Sequence, residues 1–259
     1  MNTFQSSALA QKLRNGEAVS IIGCTLPSTH LAEVIAAVGY DAAWLDLQHT
    51  STDQSQLGGM IRAVRAQGCS PMVRVATLEE STIARVLDMG VWAVVCPMIS
   101  TPEQAEIFVR ACNYHPRGNR SWGPYLGTVA SGQPAAEYFE RSAQEVVPIA
   151  MIETLQGVSN ADAIMATPGL RGIYVGTSDL SIELGQGPLP DLNDPVLRGH
   201  LRELIRIGQK HGVAVGAYSP SMAGTIDLRE DGARLLWIGA DLSFAREEAA
   251  RRLRMLNGE

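Results

Sequence analysis

Lysine is almost missing from this chain: among 259 residues only Lys12 and Lys210 occur. Both fall in segments that read as helices, away from the apolar runs described below, so a Schiff-base mechanism is not expected. Cysteine is also sparse. Cys24, Cys69, Cys96 and Cys112 have neither metal-ligand nor redox spacing and read as reduced, mostly buried thiols. A basic stripe is also lacking. The net charge is -6, the pI is near 5.4 and the arginines are scattered, which argues against nucleic acid as a partner. No apolar stretch approaches the roughly 18 residues of a membrane span, and MNTFQSSALAQKLRNG has no basic segment followed by an apolar one. No membrane partner and a cytoplasmic location are therefore expected. Finally, the first apolar run leads into IIGCTLPSTH, with one glycine where a dinucleotide-binding sheet would need G-x-G-x-x-G. The GQG at 185–187 precedes Pro188 and reads as a loop.

What is present is regular alternation. With 46% hydrophobic residues and no low-complexity tract, 1–259 has the size and composition of one α/β-barrel domain. Short runs rich in Val, Ile and Ala occur at 19–24, 42–47, 71–75, 93–98, 147–152, 172–176, 213–217 and 234–239. They read as buried parallel strands. Amphipathic segments at 28–38, 53–67, 79–89, 102–112, 158–166 and 197–211 lie between them, several closed by Gly39, Gly68, Gly90 or Gly212 as helix C-caps. The pattern predicts a TIM (β/α)8 barrel, with an N-terminal helix near 5–14 at its bottom and a C-terminal helix over 243–256. The connection 113–146 breaks the rhythm and reads as an irregular lid or interface loop.

Polar residues stand where the apolar runs end: Asp46, Gln48 and His49 in AAWLDLQHT, Arg74 in PMVRVA, Glu153 in PIAMIET and Asp179 in GIYVGTSDLS. In a closed barrel these ends converge on one face. Glu153 and Asp179, from neighbouring strands, offer hard oxygen ligands for a divalent cation such as Mg2+ or Mn2+. The same residues could instead pair with an arginine and cap the following helix. Arg74 suits a bound carboxylate, or equally a carboxylate of the barrel itself. His49 could serve as a general base or as a hydrogen-bonded loop residue.

Taken together, LDLQHT, VRV, VVCPMIST, HPRGNRSWGP, MIETLQGV and YVGTSDLS resemble the HpcH/HpaI aldolase family of metal-dependent pyruvate aldolases, over about residues 5–255. The resemblance implies a divalent ion (Mg2+, Mn2+ or Co2+) on Glu153 and Asp179, with Arg74 holding the pyruvyl portion of a 2-oxo acid. It implies proton transfer at His49, and contacts from the backbone around Thr177 and Ser178 to the substrate carboxylate. It also matches Asp88, in VLDMG, to an aspartate that pairs with the active-site histidine. The helix reading puts Asp88 at the wrong face of its own barrel, so it could reach His49 only from a neighbouring subunit; a homo-oligomer, a hexamer built as a trimer of dimers, is the expectation.

Several positions depart from that family's pattern. Gln48 stands where an acidic residue is usual before the histidine, and Met151 stands two residues before Glu153 where glutamine is usual. Both are counted among the substrate-contacting positions. Thr50 and Thr177 replace a small residue and a proline. The expected reaction is retro-aldol cleavage of a 4-hydroxy-2-oxo acid to pyruvate and an aldehyde through an enolate. The rivals are a related enolate lyase such as an oxaloacetate decarboxylase, and a noncatalytic 2-oxo acid binding protein.

Overall fold

A computed structural model describes residues 8–258. Its strands are β1 (Val19–Cys24), β2 (Ala42–Asp46), β3 (Ser70–Arg74), β4 (Ala93–Cys96), β5 (Val147–Ile152), β6 (Gly172–Val175), β7 (Ala214–Ala217) and β8 (Leu235–Ala240). All pair in parallel and in chain order, and β8 returns to β1 to close the barrel. α1 (Ala8–Arg14) precedes β1; α2 (Thr29–Ala36), α3 (Gln54–Ala66) and α4 (Glu80–Asp88) follow β1, β2 and β3. Between β4 and β5 lie α5 (Pro102–Cys112), α6 (Tyr125–Ser131) and α7 (Ala135–Glu145). α8 (Leu155–Ser159) and α9 (Ala161–Met165) follow β5, α10 (Thr177–Glu183) and α11 (Pro195–His211) follow β6, α12 (Met222–Glu230) follows β7 and α13 (Asp241–Asn257) follows β8.

Alternation along each strand divides the core in two. In β2, Ala42 and Trp44 point into the barrel, whereas Ala43 and Leu45 join the shell between strands and helices. Both faces are apolar, which is why the strands read as continuous hydrophobic runs. Leu9 and Ala10 of α1 pack on the inward-facing Val19, Ile21 and Ala42, so α1 closes the bottom of the barrel. Lys12 fastens it by an ion pair to Asp41 at 2.6 Å, and Asp41 also accepts from the Ser20 amide. Helix starts follow local chemistry: Ser28, Asp53, Thr101, Thr154, Asp194 and Ser221 each cap a first turn through their side-chain oxygens.

The structure corrects the sequence reading in places. The segment 113–146 is not an irregular loop throughout, because it holds α6 and α7. Prolines at both N-cap positions and the left-handed Gly132 between them hide these helices. The single helix read over 158–166 is two short ones meeting at Asn160. The N-terminal helix is seen from Ala8; its expected start at 5–7 lies outside the described residues. The C-terminal helix is longer than expected, but Asp241 is its only buried residue and residues 251–257 are all exposed.

Candidate active site

The strand C-terminal ends surround a cavity of about 320 Å³. Asp46 and Arg74 sit on the same rung of β2 and β3. From there Asp46 Oδ1 accepts from Arg74 Nε at 2.9 Å, and Oδ2 from Nη2 at 2.6 Å. This bidentate pair fixes the guanidinium plane. Nη1 is left facing Met151 Sδ at 3.8 Å, and Cζ lies 5.4 Å from the centre of the Trp44 ring. Arg74 thus has the carboxylate partner that sequence alone left open, yet its Nη1 meets only the Met151 thioether among the described residues. Among the described residues it is the only lysine or arginine lining the cavity. Lys12 pairs with Asp41 and Lys210 with Asp162.

Glu153 directly follows β5 and is buried. Its Oε1 accepts from the Met98 amide at 2.8 Å, and its carboxylate lies against Gly176, which lines the cavity. A Cβ at Gly176 would collide with Glu153 Oε2 and lie 2.8 Å from Met151 Cε, so the closeness of β5 and β6 here requires glycine. Met98 holds its amide toward Glu153 from a left-handed backbone, with φ of 57°. A hydrogen bond of 2.7 Å between Ser100 and Thr154 ties the ends of β4 and β5 together around this contact.

Asp179 also lines the cavity, in the first turn of α10. It does not cap that helix, whose N-cap is Gly176 with no side-chain cap bond. Nor does Glu153 form an ion pair among the described residues. Burial pushes the Glu153 carboxyl up to about 7; the charge of Asp179 adds to the rise, while the Met98 amide and Arg74 oppose it. Two carboxylates without a cation of their own are what a hard divalent ion would stabilise. Among the described residues no group of three or more His, Cys, Asp or Glu is placed to hold a metal. The Glu153 and Asp179 pair would therefore leave the rest of an ion's coordination to water and substrate, which suits Mg2+ or Mn2+.

His49 stands exposed at the cavity rim with no hydrogen bond among the described residues. Thr177 and Ser178 line the wall, and Thr177 Oγ1 donates to the Tyr218 carbonyl at 2.9 Å. Gln48 is not among the lining residues; its backbone N–H donates to Asp46 Oδ1 at 2.9 Å. Asp88 is not brought to His49 either. It ends α4, as the helix reading anticipated, and pairs with Arg120 Nη2 at 2.7 Å.

Sequence reasoning overlooked the cavity's aromatic side: Trp44, Tyr174, Tyr218 and Trp237. The ring centroids of Trp44 and Tyr174 are 4.8 Å apart, those of Trp44 and Trp237 5.9 Å, and those of Tyr218 and Trp237 5.9 Å. The period of two offered a signal, since Trp44 precedes Asp46 by two positions and shares its face. Thr25 was missed as well; its amide and hydroxyl donate to Asp241 Oδ1 at 2.9 and 2.6 Å, joining the loop after β1 to the start of α13.

A closed barrel with a pinned arginine and Asp179 lining one cavity, and Glu153 beside it, defines a (β/α)8 protein with a candidate site at its C-terminal face. More narrowly, the chain belongs to the HpcH/HpaI aldolase/citrate lyase family, whose sequence profile matches residues 23–247. It is 34% identical over 196 residues to a hydroxypyruvate/pyruvate aldolase of Rhizorhabdus wittichii, covering 74% of this chain and 77% of that one. With a 5-keto-4-deoxy-D-glucarate aldolase of Escherichia coli K12 it shares 32% over 252 residues, covering 95% and 93%. Its fold is similar to a crystal structure of an HpcH/HpaI aldolase/citrate lyase family protein from Burkholderia cenocepacia, with a TM-score of 0.89 and 29% identity over 97% of this chain and 99% of the other.

Proposed function

We propose that the protein is a divalent-metal-dependent carbon-carbon lyase, cleaving a 4-hydroxy-2-oxo acid reversibly to pyruvate and an aldehyde. The observation that carries this reading is a cavity lined by a guanidinium with one nitrogen to spare and by Asp179, with buried Glu153 just behind its Gly176 wall and neither carboxylate in an ion pair among the described residues. Glu153 and Asp179 would hold Mg2+, Mn2+ or Co2+. When bound, such an ion supplies Lewis-acid stabilisation of negative charge on the 2-oxo oxygen.

This chain's own residues do the rest. Arg74 Nη1 holds the pyruvyl carboxylate and offsets charge developing on the adjacent carbons, with the Thr177 and Ser178 backbone beside it. Asp46 acts through Arg74, fixing its plane. His49, at the mouth, takes the proton of the 4-hydroxyl. The C3–C4 bond then breaks, its electron pair passes into the enolate, and C4 leaves as the aldehyde. Protonation at C3 gives pyruvate. Met151 and Gln48 shape the neighbourhood of Arg74 and Asp46.

Asp88 belongs to the same reading as a residue that orients His49 of an adjoining subunit. Two exposed apolar surfaces support assembly: Tyr125, Leu126 and Val129 on α6, and Leu253, Met255 and Leu256 on α13. A helix of 17 residues that fully buries only Asp241 is held by its own barrel at its start, and its last turns are exposed. We therefore favour one barrel domain per chain in a cytoplasmic homo-oligomer, a hexamer arranged as a trimer of dimers. Light scattering tests this, and a stable, active monomer would overturn it.

The reaction is tested by pyruvate release from a panel of 4-hydroxy-2-oxo acids. Chelation is expected to abolish release, and Mg2+, Mn2+ or Co2+ to restore it in the parent but not in Asp179→Ala at ordinary metal concentrations. Full activity of the chelated protein would overturn the proposal.

A further inference from the structure

Counting the charges around the cavity constrains the half of the substrate that leaves as aldehyde, provided the lyase reading above holds. Two of the three Arg74 nitrogens are taken by Asp46, and the third faces only the Met151 thioether. One pyruvyl carboxylate uses that nitrogen. The two charges of a divalent ion are matched by Glu153 and Asp179. Within the protomer a second carboxylate on the substrate would then find no lysine or arginine, since Arg74 is the only one lining the cavity among the described residues.

The opposite arc of the barrel has a different character. Arg74 ends β3 and Glu153 follows β5, whereas Tyr218 and Thr25 follow β7 and β1, and Trp237 lies within β8, across the barrel. With Trp44 between the arcs, Tyr218 and Trp237 form a run of rings in mutual edge contact. Gly23 makes room for this: a Cβ there would lie 2.6 Å from the Trp237 ring. Ring faces carry the negative part of the aromatic quadrupole and repel anions, while they pack well on apolar groups. An unpaired carboxylate pressed against them would lose hydration without compensation.

We infer that the aldehyde half of the substrate is uncharged and carries an apolar or aromatic group, packed on Trp44, Tyr218 and Trp237. Substrates with a second carboxylate at the far end are discriminated against. The geometry thereby assigns a specificity role to three aromatic residues, with Gly23 positioning one of them.

Binding tests this without turnover. The Mg2+-loaded protein is titrated, by tryptophan fluorescence, with 2-oxohexanoate and 2-oxohexanedioate, which are matched in length and cannot be cleaved because they lack a 4-hydroxyl. The neutral-tailed ligand is expected to bind at least about tenfold more tightly, a difference of about 1.4 kcal/mol. Tyr218→Arg, which supplies a cation on the far arc, is expected to narrow or reverse the preference; if that variant fails to fold, the parent comparison decides alone. In the synthetic direction, pyruvate is expected to condense with butanal or benzaldehyde in preference to 4-oxobutanoate. Equal or tighter binding of the diacid overturns the inference, and the lyase reading survives if the pyruvate methyl hydrogens still exchange with deuterated water. If neither exchange nor pyruvate release occurs, the lyase reading falls, and this inference with it.

Discussion

Two arginines of this protein, one half-buried and one buried, each lie against a carboxylate and an aromatic ring, and they are finished differently. Arg74 gives Nε and Nη2 to Asp46, lies over Trp44 and turns Nη1 to the cavity. Arg120 gives Nη2 alone to Asp88, with Cζ 4.5 Å from the Tyr114 ring; its Nε and Nη1, like the Tyr114 and Tyr138 hydroxyls nearby, are buried without a hydrogen bond of ordinary geometry among the described residues. The first pair is locked and has one open edge where a ligand can arrive. The second is partly satisfied and does not line the cavity at the barrel mouth. A buried ion pair is weak evidence for function by itself; what distinguishes the two is where the leftover donor points.

The largest expected effect comes from breaking the locked pair's geometry while keeping its charge. Arg74→Lys loses the planar fork, and kcat/KM for pyruvate release should fall roughly 100- to 1,000-fold, with weaker binding of oxalate as an enolate mimic. Oxalate bound as tightly as by the parent would remove Arg74 from the ligand site. The outer pair should respond in the opposite sense. Arg120→Ala strands Asp88 and is expected to cost about 3 kcal/mol of stability in thermal or urea unfolding, with little change in oxalate affinity. A variant as stable as the parent would show that the outer pair contributes nothing to the fold.

Glu153 sharpens the comparison from the acidic side, because it is buried with no arginine of its own. Its carboxyl titrates near 7 in the fold against about 4.5 in the unfolded chain. The folded form therefore binds the proton more tightly. In metal-free protein this contribution to stability is complete below about pH 4.5 and is lost as the pH rises through about 7, on the order of 3 kcal/mol in all. The melting temperature of the chelated parent should fall from pH 5 to pH 8 relative to that of Glu153→Gln; parallel curves would show that burial does not tax this carboxylate. His49→Ala is the smallest of the four. It should lower turnover about 100-fold and leave metal and oxalate binding nearly intact, and normal turnover would return His49 to an ordinary rim residue.

The strands were legible because both of their faces are buried, leaving unbroken Val, Ile and Ala runs that end in a polar residue. Asp46, Arg74, Glu153 and Asp179 stood out for that reason. Pairing was harder to read: nothing in LDLQHT or PMVRVA says that Asp46 and Arg74 share a rung, which the β2–β3 register decides. The aromatic arc was hidden because Trp44, Tyr174 and Trp237 look like ordinary core residues until the sheet closes and brings alternate positions of distant strands together. Gln48 was read from its place before His49, which gave no sign that its backbone amide serves Asp46. The helices α6 and α7 were masked by their own prolines and glycines.

Met98 carries one last consequence, for engineering. A side chain in a left-handed backbone carries a strain of about 1 kcal/mol or more, which glycine would relieve in the fold while loosening the unfolded chain. Because the same backbone aims an amide at Glu153, any exchange at this position trades conformational ease against the poise of the acidic pair. It is a point where selection for hardiness and selection for catalysis would pull the sequence apart.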